Sequence, residues 1–304
     1  MAIVLGPNQF GKAEVRLVHV DRSTPVHRLT DLNVSSALRG DFAAAHLTGD
    51  NAHILTTDAQ KNTVYAFARD GVGEIEEFAL RLGRHFTGSF DWITGARVEI
   101  EQYGWDRIPV GGEPHDQAFS RAGSERRTTV VTVDRTAGGA GDDNNAYVVS
   151  GLAGLVVLKS TGSEFWGFAT DRYTTLPETT DRILATEVTA RWRLIGVEHD
   201  YGKMFTSIRT ILLETFASVH SLALQQTLHA MGEAVLTAHP EVAEIRMSMP
   251  NKHHFTVDLE PFGLDNPNIV FYAADRPYGK IEGTVTRDDA PDAGPAWLTV
   301  PGFC

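Results

Sequence analysis

The amino-acid sequence predicts an α+β fold made of two tandem units, each an antiparallel β-sheet with two helices on one face. The chain has 304 residues, more than one ordinary domain needs, and 42% of them are hydrophobic, which is enough to form a buried core. Strand and helix patterns follow the same order in both halves, namely two strands, two helices and two strands. A glycine-rich, acidic segment at 136–145 separates the halves, so we expect units at 1–140 and 141–304.

The strands of the first half are predicted from alternating apolar and polar residues. The first pattern covers 12–20 and places Ala13, Val15 and Leu17 on its apolar side. Similar patterns predict strands at the segments 28–37, 97–101 and 128–133. The segment 109–117 contains two glycines, two prolines and several polar residues, so it is predicted to be a loop.

Two helices are predicted between these strands. The segment 74–86 carries apolar residues at helical spacing, which would form one buried face: Ile75, Phe78, Ala79, Leu82 and Phe86. A weaker helical pattern covers 59–68, and either Thr57 or Asp58 is expected to cap its amino terminus.

The second half repeats this order. Helical spacing predicts two helices, at 202–216 and 224–238. Strands are predicted at the segments 147–158, 186–197, 269–274 and 281–286, with a further alternating pattern from Ile245 through Phe255 to Leu259. An antiparallel sheet with helices on only one face leaves its other face and its edges to be covered, so an oligomer is expected.

Composition and charge exclude several classes of function. The net charge of −12 disfavours binding to nucleic acid or to an anionic membrane. The single cysteine, Cys304, cannot form a disulfide within the chain, which is typical of a reducing compartment. No apolar stretch approaches the ~20 residues of a membrane span, and neither a signal peptide nor an SKL-type address is present. We therefore expect a cytoplasmic protein that acts on a small molecule.

The familiar motifs of cofactor and metal chemistry are absent from the sequence. It contains no phosphate-binding glycine loop, no dinucleotide fingerprint, no H-E-x-x-H and no G-x-S-x-G. Twelve histidines are scattered without metal-ligand spacing, and the adjacent pair His253 and His254 would point to opposite faces of a strand. A nucleotide-hydrolysing, flavin-dependent or zinc enzyme therefore has no support from the motifs.

Six strings of sequence resemble the urate oxidase (uricase) family when they are read together and in order. They are NQFGKAEVR (8–16), TTDAQKNTVYAFA (56–68), LKSTGSEFWGF (158–168), YTTLPETTDRILAT (173–186), LALQQT (222–227) and MPNKHHF (249–255). The resemblance runs from about 8 to 276. It implies two tunnelling-fold (T-fold) units, a homotetramer with active sites at subunit interfaces, and oxidation of urate by O2 to 5-hydroxyisourate with release of H2O2. It also implies that no metal or organic cofactor takes part.

The resemblance assigns roles to nine positions of this sequence. The catalytic residues that it implies are Lys12, Thr57 and His253. The substrate-binding residues that it implies are Thr57, Asp58, Phe165, Arg182, Leu224, Gln225 and Asn251.

These residue types suit a flat, electron-rich anion. Arg182 offers a planar fork of donors, Gln225 offers a donor and an acceptor on one plane, and Phe165 offers a stacking surface. Leu224 is expected to contribute its backbone N–H. Thr57 and Asp58 are expected to bind the opposite edge of the purine.

The chemistry requires removal of a proton before urate passes an electron to O2. A lysine acts as a base only when burial or a nearby cation depresses its pKa, so Lys12 is expected to work through the hydroxyl of Thr57 as a relay. His253 is expected to tune Lys12 or to carry the proton through water. Asn251 is expected to hold O2, a peroxide or water over the ring.

Six of these nine positions also have an ordinary structural interpretation. Lys12 suits a solvated surface charge, Thr57 a helix cap, Phe165 a core residue and Asn251 a turn after Pro250. Arg182 suits an ion pair with Glu178 or Asp181. His253 shares parity with Phe255, Val257 and Leu259, which points it toward the apolar side if no bulge intervenes.

Two other functions stay open on these residues. The first is a different enzyme of the same fold, acting on a pterin or purine with zinc, which would need a spatial cluster of histidines. The second is a non-catalytic purine-binding protein.

Overall fold

The computed structural model describes residues 1–135 and 146–298, without the side chain of Asp275. Cys304, the predicted separating segment 136–145 and the predicted boundary at 140/141 lie outside the described residues, so the domain bounds stay a prediction. The strands are β1 (Phe10–Asp21), β2 (Arg28–Gly40), β3 (Ile93–Val110), β4 (Glu113–Asp134), β5 (Ala146–Lys159), β6 (Leu184–Leu194), β7 (Val242–Thr256) and β8 (Phe271–Thr286). The helices are α1 (Ala43–Thr48), α2 (Thr57–Arg69), α3 (Ile75–Ser89), α4 (Tyr201–Ser218) and α5 (Leu224–Ala238), with short 3-10 turns at Glu260–Phe262 and Gly294–Trp297.

The described chain divides into two compact units. The first is formed by Met1–Gly151, Arg193–Lys203 and Pro291–Cys304, as far as these are described. The second is formed by Leu152–Trp192 and Met204–Ala290. The order of strands and helices is the predicted one, with the short helix α1 as an addition, and the predicted α+β class with antiparallel strands and helices is confirmed. Within the described residues, no helix is long and apolar enough to cross a membrane.

The first unit is built on an antiparallel sheet in which β1, β2, β3 and β4 are neighbours in chain order. Helix α3 packs on β3 and β4, and helix α2 packs on β1. The face of α3 that faces the sheet is the predicted one, because all five of its apolar residues are buried: Ile75, Phe78, Ala79, Leu82 and Phe86. Burial of each of the larger side chains stabilises the fold by about 1.5–3 kcal/mol.

A β-bulge interrupts β1 directly after Lys12. Lys12 pairs with Ser36, whereas Val15 pairs with Val34, so β1 has one residue more than β2 over this stretch. Val15 is buried as predicted, but the prediction that Ala13 lies on the apolar side is wrong, because the extra residue breaks the alternation and leaves Ala13 exposed.

The hairpin between β3 and β4 differs from the predicted loop at 109–117. Pro109 pairs with Pro114, so both strands continue almost to the end of the hairpin. Only Gly111 and Gly112 form the turn, with φ angles of 62° and 92°. A two-residue turn of this hand requires positive φ angles, which glycine adopts without strain. The predicted loop is therefore wrong except at these two residues.

In the second unit, α5 packs on the antiparallel pair β7 and β8. The predicted helices in this half are confirmed as α4 and α5, and the apolar residues of α5 face inward, with Leu228, Met231 and Val235 buried. The two strands predicted at 269–274 and 281–286 form one strand, β8. The predicted alternation beyond Phe255 is wrong, because β7 ends at Thr256.

Candidate active site

A pocket of about 740 Å³ opens in the second unit. Its walls come from the segment between β5 and β6, from the start of α5, from the second half of β7 and from β8. Six of the nine predicted site residues line it: Phe165, Arg182, Leu224, Gln225, Asn251 and His253. Residues that lie far apart in the sequence are therefore brought together around one cavity.

The segment 163–182 forms a closed strap beside this pocket. Phe165 and Thr179 exchange both backbone hydrogen bonds, at 2.8 and 3.0 Å. The backbone N–H of Arg182 donates to the carbonyl oxygen of Ser163 at 3.0 Å. The carboxylate of Glu178 accepts from the backbone N–H of Gly167 at 2.8 Å. These bonds fix an irregular backbone and place the side chains of Phe165 and Arg182 at the pocket.

Arg182 is a half-buried cation without a counter-ion among the residues that the structure describes. Glu178 bonds to the strap backbone, and Asp181 accepts from the hydroxyl of Thr161 at 2.8 Å. Within residues 1–135 and 146–298, no carboxylate lies within 4.0 Å of the guanidinium of Arg182, so the predicted alternative of an ion pair is wrong. Burial lowers the pKa of Arg182, but an arginine stays charged in proteins. The pocket therefore presents one positive charge that a bound anion can neutralise.

Phe165 forms an aromatic platform next to Arg182. The ring is half-buried rather than part of the core, and it stacks on Phe168 with ring centroids 4.9 Å apart and an angle of 18° between the planes. The guanidinium carbon of Arg182 lies 5.0 Å from the centroid of the Phe165 ring. A ring backed in this way is suited to stacking against a flat heterocycle.

The start of α5 supplies polar groups to the lining of the same pocket. The side chain of Leu224 is buried, and that of Gln225 is exposed. No side chain caps this end of the helix. Because the first N–H groups of a helix have no partner within the helix, Leu224 and Gln225 present backbone donors together with the amide of Gln225.

Asn251 and His253 lie on β7 where its pairing with β8 is irregular. Asn251 pairs with Gly279 and His253 pairs with Ala274, so residues 275–278 of β8 bulge between these pairs. Asn251 therefore lies in a strand, and the alternative of a turn is wrong. His253 is half-buried in the pocket wall and stacks on Phe255 at 5.6 Å, but Phe255 is exposed, so the predicted apolar side does not exist here.

The electrostatic surroundings of His253 favour its neutral form. Burial lowers the pKa of His253, and the positive charge of Arg182 and the neighbouring His254 lower it further. A neutral imidazole at neutral pH can accept a proton, which is the role expected of His253.

The remaining predicted residues, Lys12, Thr57 and Asp58, belong to the first unit. The predicted cap at Thr57 or Asp58 is wrong, because the side chain of Thr56 caps α2 by accepting from the N–H of Ala59 at 3.1 Å. The hydroxyl of Thr57 makes no hydrogen bond within the described residues. Thr57 is thus left available for a ligand or a proton.

Lys12 and Asp58 lie near one another in this unit. The carboxylate of Asp58 bonds to Lys61 and accepts from the amide of Asn62 at 3.0 Å, and its pKa is lowered mainly by Lys61 and further by the charge of Lys12. Lys12 is half-buried, and its ammonium group has no carboxylate within 4.0 Å among the residues that the structure describes. The arrangement places an unpaired cation beside the first turn of α2.

Four further polar residues are buried in the two units, and none of them was predicted as part of the site. In the first unit, the buried Ser36 donates to Oε1 of the buried Gln60 at 2.8 Å, and Nε2 of Gln60 donates to the carbonyl of Leu55 at 3.3 Å. In the second unit, Ser163 and Ser221 are completely buried. Ser36 and Gln60 belong to no apolar periodic pattern. Ser163 lies inside one of the six strings that carry the family resemblance, but the resemblance implies no role for it.

No cluster of metal ligands is present in the part of the chain that the structure describes, since no three or more His, Cys, Asp or Glu residues lie close enough together to hold an ion. A zinc enzyme of this fold would need such a cluster, and neither His253 nor His254 belongs to one.

Comparison with known proteins gives a consistent family. A family model described as Uricase matches residues 8–132 and 148–282. The uricase of Arthrobacter globiformis is 59% identical over 302 residues, which cover 99% of this chain and 96% of that protein. Its crystal structure superposes with a TM-score of 0.91 and covers 98% of this chain and 99% of that one.

More distant relatives agree. The uricase of Dictyostelium discoideum is 36% identical over 284 residues, covering 92% of this chain and 96% of that protein. The urate oxidase of Bacillus sp. TB-90, at 23% identity, covers 92% of this chain and 100% of that one with a TM-score of 0.79, which establishes similarity of fold alone.

Proposed function

The chain belongs to the uricase family and is a urate oxidase, and we propose that urate binds in the pocket of the second unit, with Lys12, Thr57 and Asp58 supplied by a neighbouring subunit. The reaction consumes urate, O2 and water and yields 5-hydroxyisourate and H2O2. Two electrons pass from urate to O2, which leaves as H2O2, and water supplies the new hydroxyl oxygen at C5.

The strongest support for urate binding in this pocket is the unpaired positive charge of Arg182. Urate is a flat anion, and the guanidinium fork can donate two parallel hydrogen bonds to adjacent acceptors on one edge. Phe165 provides a stacking face, and Gln225 with the backbone of Leu224 provides donors and an acceptor beside it. An unpaired half-buried cation is unfavourable alone, so an anion that neutralises it binds with a net gain.

Lys12, Thr57 and His253 form the catalytic set of the proposal. Lys12 takes a proton from bound urate through the hydroxyl of Thr57, which is supported by the free hydroxyl of Thr57 and by the lack of a carboxylate partner for Lys12 in the described residues. The resulting dianion is a better electron donor to O2. His253, kept neutral by its surroundings, accepts or returns a proton through water, while Asn251 holds oxygen species over the ring.

The assembly that we propose is a homotetramer with each active site at a subunit interface. All the described residues that line the pocket belong to the second unit, whereas Lys12, Thr57 and Asp58 belong to the first unit. We propose that one subunit supplies the pocket and a neighbouring subunit supplies these three residues. Closed symmetric assemblies of identical chains are common, and they also cover sheet edges.

The cytoplasm is the proposed location. One cysteine in 304 residues is typical of a protein that does not depend on disulfides. No nucleic-acid partner or membrane partner is proposed, since the net charge is −12.

Incubation of the purified protein with urate in aerated buffer tests the proposal. We expect loss of the ultraviolet absorbance of urate together with stoichiometric release of H2O2, both unchanged after treatment with a chelator. Tight urate binding without turnover would instead identify a non-catalytic purine-binding protein. Activity that is lost on chelation and restored by zinc would identify a metal-dependent enzyme.

Substitutions then test the named roles. Lys12→Met is expected to lower kcat strongly, because it removes the base, whereas Arg182→Gln is expected to raise the dissociation constant for urate measured without O2. Wild-type values for both variants would contradict these roles even if urate oxidation itself were confirmed.

A further inference from the structure

Three hydroxyl-bearing residues that are bonded to Arg182 or to the start of α5 are completely buried, although a protein core normally holds apolar side chains. Ser163, Ser221 and Thr227 each have a solvent exposure of 0%. The hydroxyl of Thr227 donates to Oγ of Ser221 at 2.8 Å. Buried hydroxyls without partners are unfavourable, and each of these three hydroxyls has a hydrogen-bond partner, which indicates a specific structural requirement. We refer to these three residues as the hydroxyl cluster.

At one end of the hydroxyl cluster, Ser163 holds Arg182 at two points. Its carbonyl oxygen accepts from the backbone N–H of Arg182 at 3.0 Å, and its Oγ accepts from Nε of Arg182 at 3.2 Å. The guanidinium group is rigid and planar, so a bond to Nε restricts the direction of the whole fork. With Nε occupied by Ser163, the two terminal nitrogens stay available for a ligand in the pocket.

At the other end of the hydroxyl cluster, Ser221 and Thr227 hold the start of α5. Oγ of Ser221 donates to the carbonyl oxygen of Ala223 at 3.2 Å, and Ala223 directly precedes Leu224 and Gln225. The bond from Thr227 to Ser221 ties the first turn of the helix to the same point. The backbone donors of Leu224 and Gln225 are thus fixed relative to Ser221.

A backbone bridge joins the two ends of the hydroxyl cluster. Ser163 and Ser221 form a parallel β-bridge, in which the N–H of Glu164 donates to the carbonyl oxygen of Ser221 at 2.7 Å and the N–H of Ser221 donates to the carbonyl oxygen of Gly162 at 2.9 Å. Arg182 is held by Ser163, and the start of α5 is held by Ser221. Because Ser163 and Ser221 are joined by this β-bridge, Arg182 is fixed relative to Leu224 and Gln225.

We propose that the hydroxyl cluster is the positioning element for substrate recognition: it sets the plane of the Arg182 fork relative to the donors at the start of α5, so that both meet one flat anion. This inference rests on the proposed function, because the anion is urate. In this role Ser163, Ser221 and Thr227 do not contact the substrate. They affect its binding only through the pocket residues that they hold in place. Their removal should therefore weaken binding and leave the chemical step nearly unchanged.

The primary test is Ser163→Ala, measured in the intact assembly. We expect KM for urate, and the dissociation constant for urate measured without O2, to rise about tenfold, while kcat changes less than about twofold. If the wild type binds and oxidises urate while Ser163→Ala keeps both wild-type constants, the positioning role is overturned and the proposed function stands. If the wild type itself fails to bind urate, the proposed function fails as well.

A double-mutant cycle separates positioning from general destabilisation. If Ser163 acts through Arg182, then Ser163→Ala should have no further effect on the dissociation constant in an Arg182→Lys background. Equal effects of Ser163→Ala in both backgrounds would overturn the proposal.

Thr227 keeps the proposal testable if Ser163→Ala does not fold. Thr227→Val removes the hydroxyl at nearly constant volume and is expected to raise KM, whereas Thr227→Ser keeps the hydroxyl and is expected to restore KM. The matched control is Thr87→Val, in which the lost hydroxyl is also buried but donates to carbonyl oxygens of its own helix, those of Gly83 and Arg84. Thr87→Val should lower the melting temperature without changing KM, and equal KM values for the two Thr227 variants would contradict the proposal.

Discussion

The backbone at Gly11 lies so close to the carbonyl group of Ser36 that a Cβ atom on residue 11 would be only 1.7 Å from that oxygen. Gly11 directly precedes Lys12, which pairs with Ser36, and the β-bulge follows immediately. Because backbone atoms cannot move aside as a flexible side chain can, Gly11→Ala must push β1 away from β2 at this point. We expect a loss of activity of at least about tenfold and a lower melting temperature.

Gly6→Ala is the control for this prediction. No atom lies within 4 Å of a Cβ atom built at Gly6, so this substitution should leave activity and melting temperature unchanged. Wild-type turnover by Gly11→Ala would show that the position of Lys12 tolerates displacement, which would weaken its assignment as the base.

Periodic patterns made much of the fold predictable. The five apolar residues of α3 repeat at helical spacing, and burial of that face contributes most of the helix's stability in the protein, so the pattern and the structure agree. The bulge after Lys12 could not be predicted, because a bulge depends on the register of a partner strand as well as on β1. The glycines Gly111 and Gly112 predicted a loop, but the number of residues in the turn depends on how far the two strands pair.

The sequence predicted which residues form the candidate site, but it did not predict the hydrogen bonds that they make. Six of the predicted residues surround one pocket, and the family resemblance named them because it carries information about distant contacts. Glu178 and Asp181 are near Arg182 in the sequence, yet in the structure both carboxylates accept hydrogen bonds from other donors. Which donor a carboxylate meets is decided by tertiary geometry, and neither local order nor hydrophobic pattern contains it.

The pKa of His253 predicts the acid limb of the pH profile. Burial, then Arg182, then His254 lower this pKa below the ordinary value of about 6.5. His253 is therefore neutral above the lowered pKa and gains a proton only as the pH falls through it. We expect kcat/KM to decline across that lower range, and an NMR titration of the His253 ring to give the same midpoint.

His254→Gln tests the electrostatic cause while keeping Arg182 in place. Removal of this neighbour takes away one of the factors that lower the pKa of His253, so both the ring titration and the acid limb should move to higher pH. A shift of the ring titration without a shift of the acid limb would show that a different group controls activity at low pH.

Thr56 and Thr57 are adjacent, but they are expected to respond in opposite ways to substitution. Thr56 caps α2, so Thr56→Ala should reduce the free energy of unfolding by about 1 kcal/mol and affect kcat only modestly. Thr57 makes no hydrogen bond within the described residues, so Thr57→Val should keep the stability of the wild type and lower kcat sharply. Urea unfolding and steady-state kinetics on the two variants measure both effects, and loss of stability in Thr57→Val would point to a structural role instead.

Mixed assemblies test whether two subunits share each active site. Lys12→Met disables the residues that come from the first unit, and Arg182→Gln disables the pocket of the second unit. If one site takes Lys12 from one subunit and Arg182 from its neighbour, a mixed assembly contains some sites in which both residues are intact. At a urate concentration well below the dissociation constant of the Arg182→Gln variant, each variant alone should turn over little urate. Co-expression of the two variants should then restore a measurable fraction of wild-type turnover.

The alternative arrangement gives a different result in the same experiment. If both residues of each site came from the same subunit, every site in a mixed assembly would lack either Lys12 or Arg182, and co-expression would restore nothing. A chain that carries both substitutions, co-expressed with either single variant, provides the control, because no site in such a mixture can contain both intact residues when the site is shared. Recovery in the first mixture and none in the control would locate the lysine–threonine pair and the purine pocket on neighbouring subunits, so catalysis would require the assembled protein.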